Sequence, residues 1–114
     1  MNFSEDKFME ILNSVEEIKK FIKDNRISML YFSSNSCSVC VDLFPKIQEL
    51  LKQYPKAKFA KIEIDSLPAV AGTFSVFTLP CILMFIDEKE IIREARFISI
   101  MELKEKIERY YSLI

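Results

Sequence analysis

Histidine is absent from the 114-residue chain. With it go Ser-His and Cys-His catalysis and His-bearing zinc sites, because histidine is the commonest general base near neutrality and the commonest metal ligand. Cysteine is scarce, at three residues. That number is too small, and of the wrong parity, for a disulfide-stapled secreted scaffold, so a reducing compartment is expected. No long hydrophobic run is present either: Cys81–Ile86 is the longest plainly apolar stretch, far short of the ~18 residues that indicate a membrane span. Charge of one sign is also missing, since 16 basic and 17 acidic side chains leave a net charge of -1, which argues against a nucleic-acid partner. The opening Met1–Asp6 lacks the positive start of a signal peptide, so a soluble, cytoplasmic protein with no membrane partner is expected. What the chain does have is core-forming material, with 50% hydrophobic and 12% aromatic residues against 29% charged. This balance excludes disorder as the main state, and the length suits one domain over residues 1–114.

Residues 14–25 place Val15, Ile18, Phe21 and Ile22 on one helical face behind a Ser14-x-x-Glu17 capping box. Just upstream, Phe8, Met9, Ile11 and Leu12 are read as a short strand in preference to an earlier turn of that helix. Ile27–Ser33 is short, apolar and rich in strand formers, as suits a central strand covered on both faces. From Ser38 to Tyr54 a stripe of Leu43, Phe44, Ile47, Leu50, Leu51 and Tyr54 predicts a long helix bent near Pro45. Lys58–Asp65 alternates, with Ala60, Ile62 and Ile64 on one face and Phe59, Lys61 and Glu63 on the other. Ser66 and Pro68 suit the first turn of a short helix that Gly72 would end. Cys81–Ile86 then pairs as a hairpin with Ile91–Phe97 across Asp87–Glu90, and a Ser99-x-x-Glu102 box opens a closing helix carrying Ile100, Leu103, Ile107 and Tyr110. This order of elements predicts an α/β fold: a mixed sheet covered by helices on both faces.

The residues with evident chemistry are Cys37-Ser38-Val39-Cys40, between a strand and the start of the long helix. Unpaired N–H groups and the helix dipole favour negative charge there, so Cys37 is the expected reactive thiolate. Cys40, one turn later, brings a second sulfur within bonding reach, and the two can cycle between dithiol and disulfide. A metal site or an incidental pair are the competing readings, although a tetrahedral structural zinc needs four ligands and three cysteines without histidine do not supply them in one chain.

The chain resembles the thioredoxin family. That family has a proline five residues after the second Cys, matched by Pro45, and a Lys-Ile-x-Ile-Asp strand, matched by Lys61–Asp65. A proline three residues on falls at Pro68, and the family's cis-proline at Pro80 in Thr78-Leu79-Pro80-Cys81. The matches span about residues 8 to 112. The resemblance implies a thioredoxin fold with a central four- or five-stranded mixed sheet. It implies a thiol-disulfide oxidoreductase that needs no cofactor beyond a redox-active Cys37–Cys40 disulfide, with Cys37 as nucleophile and Cys40 as resolving thiol. Thr78, Leu79 and cis Pro80 would bind substrate, Pro80 packing on the Cys pair and the Leu79 backbone pairing with the substrate as an added strand. Partners would be disulfide-containing proteins and a reductase or small dithiol that restores the pair; the protein itself is expected to be a monomer that binds no metal.

The departures from the family bear on tuning. Ser36 replaces its Trp, Ser38-Val39 its Gly-Pro dipeptide, Tyr31 its buried Asp, and Arg96 a glycine of the substrate-facing loop. Tyr31 reads as core packing. Lys61 is a candidate for stabilising a nearby negative charge, against the plainer reading of a solvated lysine. Arg96 would attract anionic substrates or stabilise the Cys37 thiolate, or is an ordinary surface arginine. Cys81 reads as a small buried hydrophobe, with a third sulfur near the pair as the alternative. The favoured function is a cytosolic disulfide reductase. The rival is a non-catalytic binding module, or a metal-binding protein using Cys37, Cys40 and Cys81; an oxidase or isomerase role is the third reading.

Overall fold

The computed structural model describes residues 9–114. Its elements are β1 (Met9–Ile11), α1 (Val15–Asp24), β2 (Ile27–Ser33), α2 (Ser38–Leu51), β3 (Ala57–Glu63), a 3-10 turn (Ile64–Ser66), α3 (Pro68–Phe74), β4 (Cys81–Ile86), β5 (Lys89–Ala95) and α4 (Ile100–Tyr111). The strands form one sheet in the order β1-β3-β2-β4-β5. β1, β3 and β2 are parallel, and β4 and β5 are antiparallel to their neighbours. The sheet is mixed, and β2 lies at its centre with all seven residues buried, as its unbroken apolar run predicts. Phe8, read with the first strand, lies outside the described residues.

Because strand side chains alternate, each strand feeds both faces. On one face Met29, Tyr31, Phe59, Ile82 and Met84 pack against Ile47, Leu50 and Leu51 of α2 and Leu103 and Ile107 of α4. On the other, Leu30, Phe32, Ile62, Cys81 and Leu83 pack against Ile18, Phe21 and Ile22 of α1 and Val70 of α3. Both serine caps form. Ser14 Oγ accepts from the Glu17 N–H at 3.0 Å, and the Glu17 carboxylate accepts from the Asn13 N–H at 2.9 Å. Ser99 Oγ accepts from the Glu102 N–H at 3.2 Å. Such caps satisfy helix donors that have no partner in the first turn, each worth ~1 kcal/mol.

Several boundaries differ from the sequence reading. β3 ends at Glu63, and Ile64 and Asp65 belong to the 3-10 turn. Its supposedly polar face is also covered, since Phe59 is 1% exposed beneath α2. α2 stops at Leu51, short of Tyr54. Gly72 does not end α3: it lies inside the helix, and the left-handed cap is Ser75 at φ 56°. The hairpin turn is two residues, Asp87 and Glu88, at φ 51° and 69°, so β5 begins at Lys89 and ends at Ala95 rather than running from Ile91 to Phe97. Positive φ at both central positions is the hairpin geometry that usually calls for glycine or asparagine, and here an acidic pair adopts it. An irregularity between Met84 and Phe85 lets β5 carry one extra residue at Ile91.

Candidate redox site

β2 ends at Ser33, and the chain crosses the top of the sheet through Ser34, Asn35 and Ser36 before α2 begins. Three local bonds and one to a distant residue shape that crossing. The Cys37 N–H donates to the Ser34 carbonyl at 3.1 Å. The Ser34 hydroxyl accepts from the Ser36 N–H at 3.2 Å, lies 2.9 Å from the Ser36 hydroxyl and donates to an Asp65 carboxylate oxygen at 2.6 Å. Cys37 therefore arrives as the N-cap of α2, where its Sγ accepts from the Cys40 N–H at 3.2 Å. It is joined to Cys40 by a disulfide whose Cα atoms are 5.3 Å apart. The two sulfurs are unequal: Cys37 is half-buried, while Cys40 is 1% exposed.

Beneath the pair lies Tyr31, fully buried, whose hydroxyl donates to the Cys40 carbonyl at 2.7 Å. Burial pushes its phenol up to about 12. The group therefore holds its proton throughout the physiological range and acts as a fixed donor, pinning the first turn of α2 to the central strand. Its ring lies 5.5 Å from that of Phe44. Pro45 follows within the helix and supplies no N–H to the preceding turn, so Tyr31 braces α2 close to where its ladder is interrupted.

Next to Tyr31 across the β2–β3 pairing is Lys61. It is not a solvated lysine: its side chain is 24% exposed, its ammonium pairs with Glu63 at 3.2 Å and sits 4.6 Å from the centre of the Phe44 ring. The same Glu63 oxygen accepts from the Ser33 hydroxyl at 3.2 Å, and the other is buried with no hydrogen-bond partner among the described residues. Ser33–Glu63 and Ser34–Asp65 thus tie the approach to Cys37 to the end of β3 and the 3-10 turn that follows it. Sequence reading missed this network. No local sequence signal marks it, because the parallel register that sets Ser33 against Glu63 exists only in the folded sheet.

Of the remaining candidates, Leu79–Pro80 is a cis peptide bond, with Pro80 buried and Thr78 exposed. The Pro80 carbonyl accepts from the Arg96 N–H at 2.8 Å. Arg96 has φ 67°, a left-handed conformation consistent with a position that resembles a glycine. Cys81 is a free thiol, 1% exposed among the apolar residues of the α1–α3 face. Desolvation pushes its pKa up to about 11, which Arg93 partly offsets. Tyr31 stands opposite Ile82, and Cys81 faces the other way with Phe32. Among the described residues no group of three or more His, Cys, Asp or Glu is placed to hold a metal ion.

A cysteine pair one turn apart at a helix start, a buried tyrosine bonded to the second cysteine's carbonyl and a cis-proline just before β4 invite comparison with known proteins. The thioredoxin family model matches residues 9–109. Over 107 residues the chain is 42% identical to the thioredoxin-like protein YdfQ of Bacillus subtilis (strain 168), covering 94% of this chain and 96% of that protein. A mutant thioredoxin from Halobacterium salinarum superposes with a TM-score of 0.84 at 25% identity, covering 95% of each chain. The thioredoxin of Fasciola hepatica gives 0.81 at 28% identity, covering 90% of this chain and 99% of its own. Geometry and likeness agree over nearly the whole described length, and the chain belongs to the thioredoxin family of thiol-disulfide oxidoreductases.

Proposed function

We propose that the protein is a cytosolic reductase of disulfides in protein substrates, acting as a monomer with Cys37 as nucleophile and Cys40 as resolving thiol. The observation that carries this reading is the inequality of the two sulfurs: Cys37 is half-buried at the N-cap and Cys40 is enclosed. On reduction, the Cys40 N–H and the start of α2 stabilise negative charge on the Cys37 sulfur.

That thiolate attacks one sulfur of the substrate disulfide. A Cys37–substrate bond forms, the substrate S–S bond breaks, and the first substrate sulfur leaves as thiolate. Cys40 then gives up its proton and attacks the Cys37 sulfur, closing the internal disulfide and releasing the second substrate sulfur. Two electrons pass from the protein dithiol to the substrate; the Cys40 proton goes to one substrate thiolate, and the other takes its proton from solvent. Tyr31 takes no proton in this scheme, because its phenol remains protonated up to about 12 and is committed to the Cys40 carbonyl. The exchange calls for no cofactor besides the cysteine pair. A reductase or small dithiol must return two electrons to the oxidised form. By the family resemblance, Thr78, Leu79 and Pro80, whose peptide bond with Leu79 is cis, would pair with an extended substrate.

The deciding experiment is a redox titration of the Cys37–Cys40 couple. A midpoint near about -270 mV supports a reductase, whereas one near about -120 to -180 mV assigns the protein to oxidation or isomerisation.

A further inference from the structure

We infer that Arg96 selects disulfide substrates with an acidic residue close to the attacked half-cystine, an inference that rests on the reductase reading above. Beside the cysteine pair lies a concavity of about 460 Å³ lined by Val39, Leu43, Arg96, Phe97, Ile98, Ser99 and Glu102. Val39, which lies between the two cysteines in sequence, forms part of one wall, so this space adjoins the first turn of α2 that carries the pair. The walls offer exposed apolar surface, with Val39 58% and Phe97 86% exposed. Solvent-exposed apolar side chains of this size around a reactive centre are surface that a bound polypeptide would cover.

The charge here is specific. Among the described residues the Arg96 guanidinium makes no ion pair. It lies 5.9 Å from the centre of the Phe97 ring, an arrangement that presents a cation without neutralising it. Two other cations are engaged: Lys61 with Glu63, and Lys106 with Glu94. The backbone holds Arg96 at φ 67°, and its N–H is fixed to the Pro80 carbonyl at 2.8 Å. A non-glycine residue kept in the left-handed region against its steric preference is a common mark of a functional position. Glu102, the acidic residue lining the same concavity, belongs to the first turn of α4. An acidic side chain is thus favoured beside Arg96 and disfavoured beside Glu102. Guanidinium pairs with carboxylate in a planar fork that lysine cannot reproduce.

The test uses two synthetic peptides that differ only in a Glu or a Lys beside the disulfide, offered to the reduced protein at low ionic strength. The wild type should reduce the acidic peptide with about tenfold higher kcat/KM, and the ratio should shrink with added salt, as expected of a solvent-accessible charge pair. Arg96→Gly, which suits φ 67°, should bring the ratio close to one, and Arg96→Glu should invert it. A wild-type ratio near one, or a ratio unmoved by either variant, overturns the inference. If neither peptide is reduced, the reductase reading fails by itself. The ratio of mixed-disulfide formation by Cys40→Ser, with and without Arg96→Gly, then decides on Arg96 independently of turnover: a preference for the acidic peptide that Arg96→Gly abolishes supports the inference, and equal yields overturn it.

Discussion

Cys37 and Cys81 are the same residue in one small fold, set in opposite surroundings. Cys37 is half-buried at the head of α2, above the face where Tyr31, Lys61 and Glu63 interrupt the apolar packing. Cys81 is 1% exposed on the face packed by α1 and α3, with Phe32, Leu83 and Val70 for neighbours. The first sulfur meets a helix N–H; the second meets hydrocarbon, which pushes its pKa up to about 11. Reactivity is therefore assigned by position. The face that bears the chemistry accepts ionisable groups and the cost of pairing them, while the other face is largely apolar and holds the small Ser28 hydroxyl, which is bonded to the Phe21 and Asn25 carbonyls.

The largest expected effect separates the sulfurs by turnover. Cys37→Ser should lower the rate of disulfide reduction by a factor on the order of 10³ or more, since the attacking group is lost. Cys81→Ala should leave the rate within about twofold and cost roughly 1–2 kcal/mol of stability, the loss of one small buried side chain. Rates with a chromogenic disulfide and urea unfolding curves for both variants check this. A Cys81→Ala protein that folds but does not turn over would break the contrast.

Alkylation of the reduced protein at pH 7 sharpens it. With its pKa at about 11, Cys81 is thiolate to a fraction on the order of 10⁻⁴ at that pH, and its burial blocks access besides. Iodoacetamide should label Cys37 at least about a hundredfold faster than Cys81, as read by mass spectrometry of peptides. Denaturant should erase the difference.

Most of this contrast is legible in the sequence. The unbroken run Ile27–Ser33 marks a strand buried on both faces, the serine caps mark where α1 and α4 start, and the CxxC at a strand-to-helix junction marks the reactive pair. What could not be read depends on partners far apart in the chain. Ser33 meets Glu63 and Ser34 meets Asp65 only because β2 and β3 pair in parallel at one register. A one-residue slip would turn those side chains to the other face. Lys61 looks solvated until Glu63 and Phe44 close around it. The turns were obscured for a local reason: Ser75, Asp87, Glu88 and Arg96 take positive φ where glycine would be the usual signal, and the chain's one glycine is inside α3.

The polar insertions on the α2 side make that face sensitive to alkaline pH. Desolvation pushes the Tyr31 phenol up to about 12 in the folded protein, whereas an unfolded tyrosine titrates near 10. The folded state binds this proton more tightly, so the associated stability is complete below about pH 10 and is lost as pH rises through about 12. Two units correspond to roughly 3 kcal/mol at most. Tyr54 behaves alike, pushed up to about 12 by burial and by its bond to the Glu108 carboxylate at 2.5 Å. Tyr31→Phe should cost about 1 kcal/mol at pH 7, for the lost bond to the Cys40 carbonyl. Between pH 10 and 12 it should lose less stability than the wild type. Denaturation midpoints at pH 7, 10 and 11 check both signs, and parallel curves for the two proteins would remove Tyr31 from the account.

The smallest effect tests whether the α1–α3 side is as silent chemically as its packing implies. Gly72 is exposed within α3, and a Cβ built there meets nothing within 4 Å. Helical glycine is ~0.5–1 kcal/mol less favourable than alanine, largely through the freedom it gives the unfolded chain. Gly72→Ala should therefore raise Tm by about 2–4 °C in a chain of this size. The helix packs Val70 and Phe74 against the core of that face, and among the described residues it makes none of the bonds around Cys37. The exchange rate of the stabilised variant should match the wild type. If the added stability came with slower exchange, α3 would have to move during the reaction, and the two sides of the sheet would be coupled in a way that their separate packing does not require.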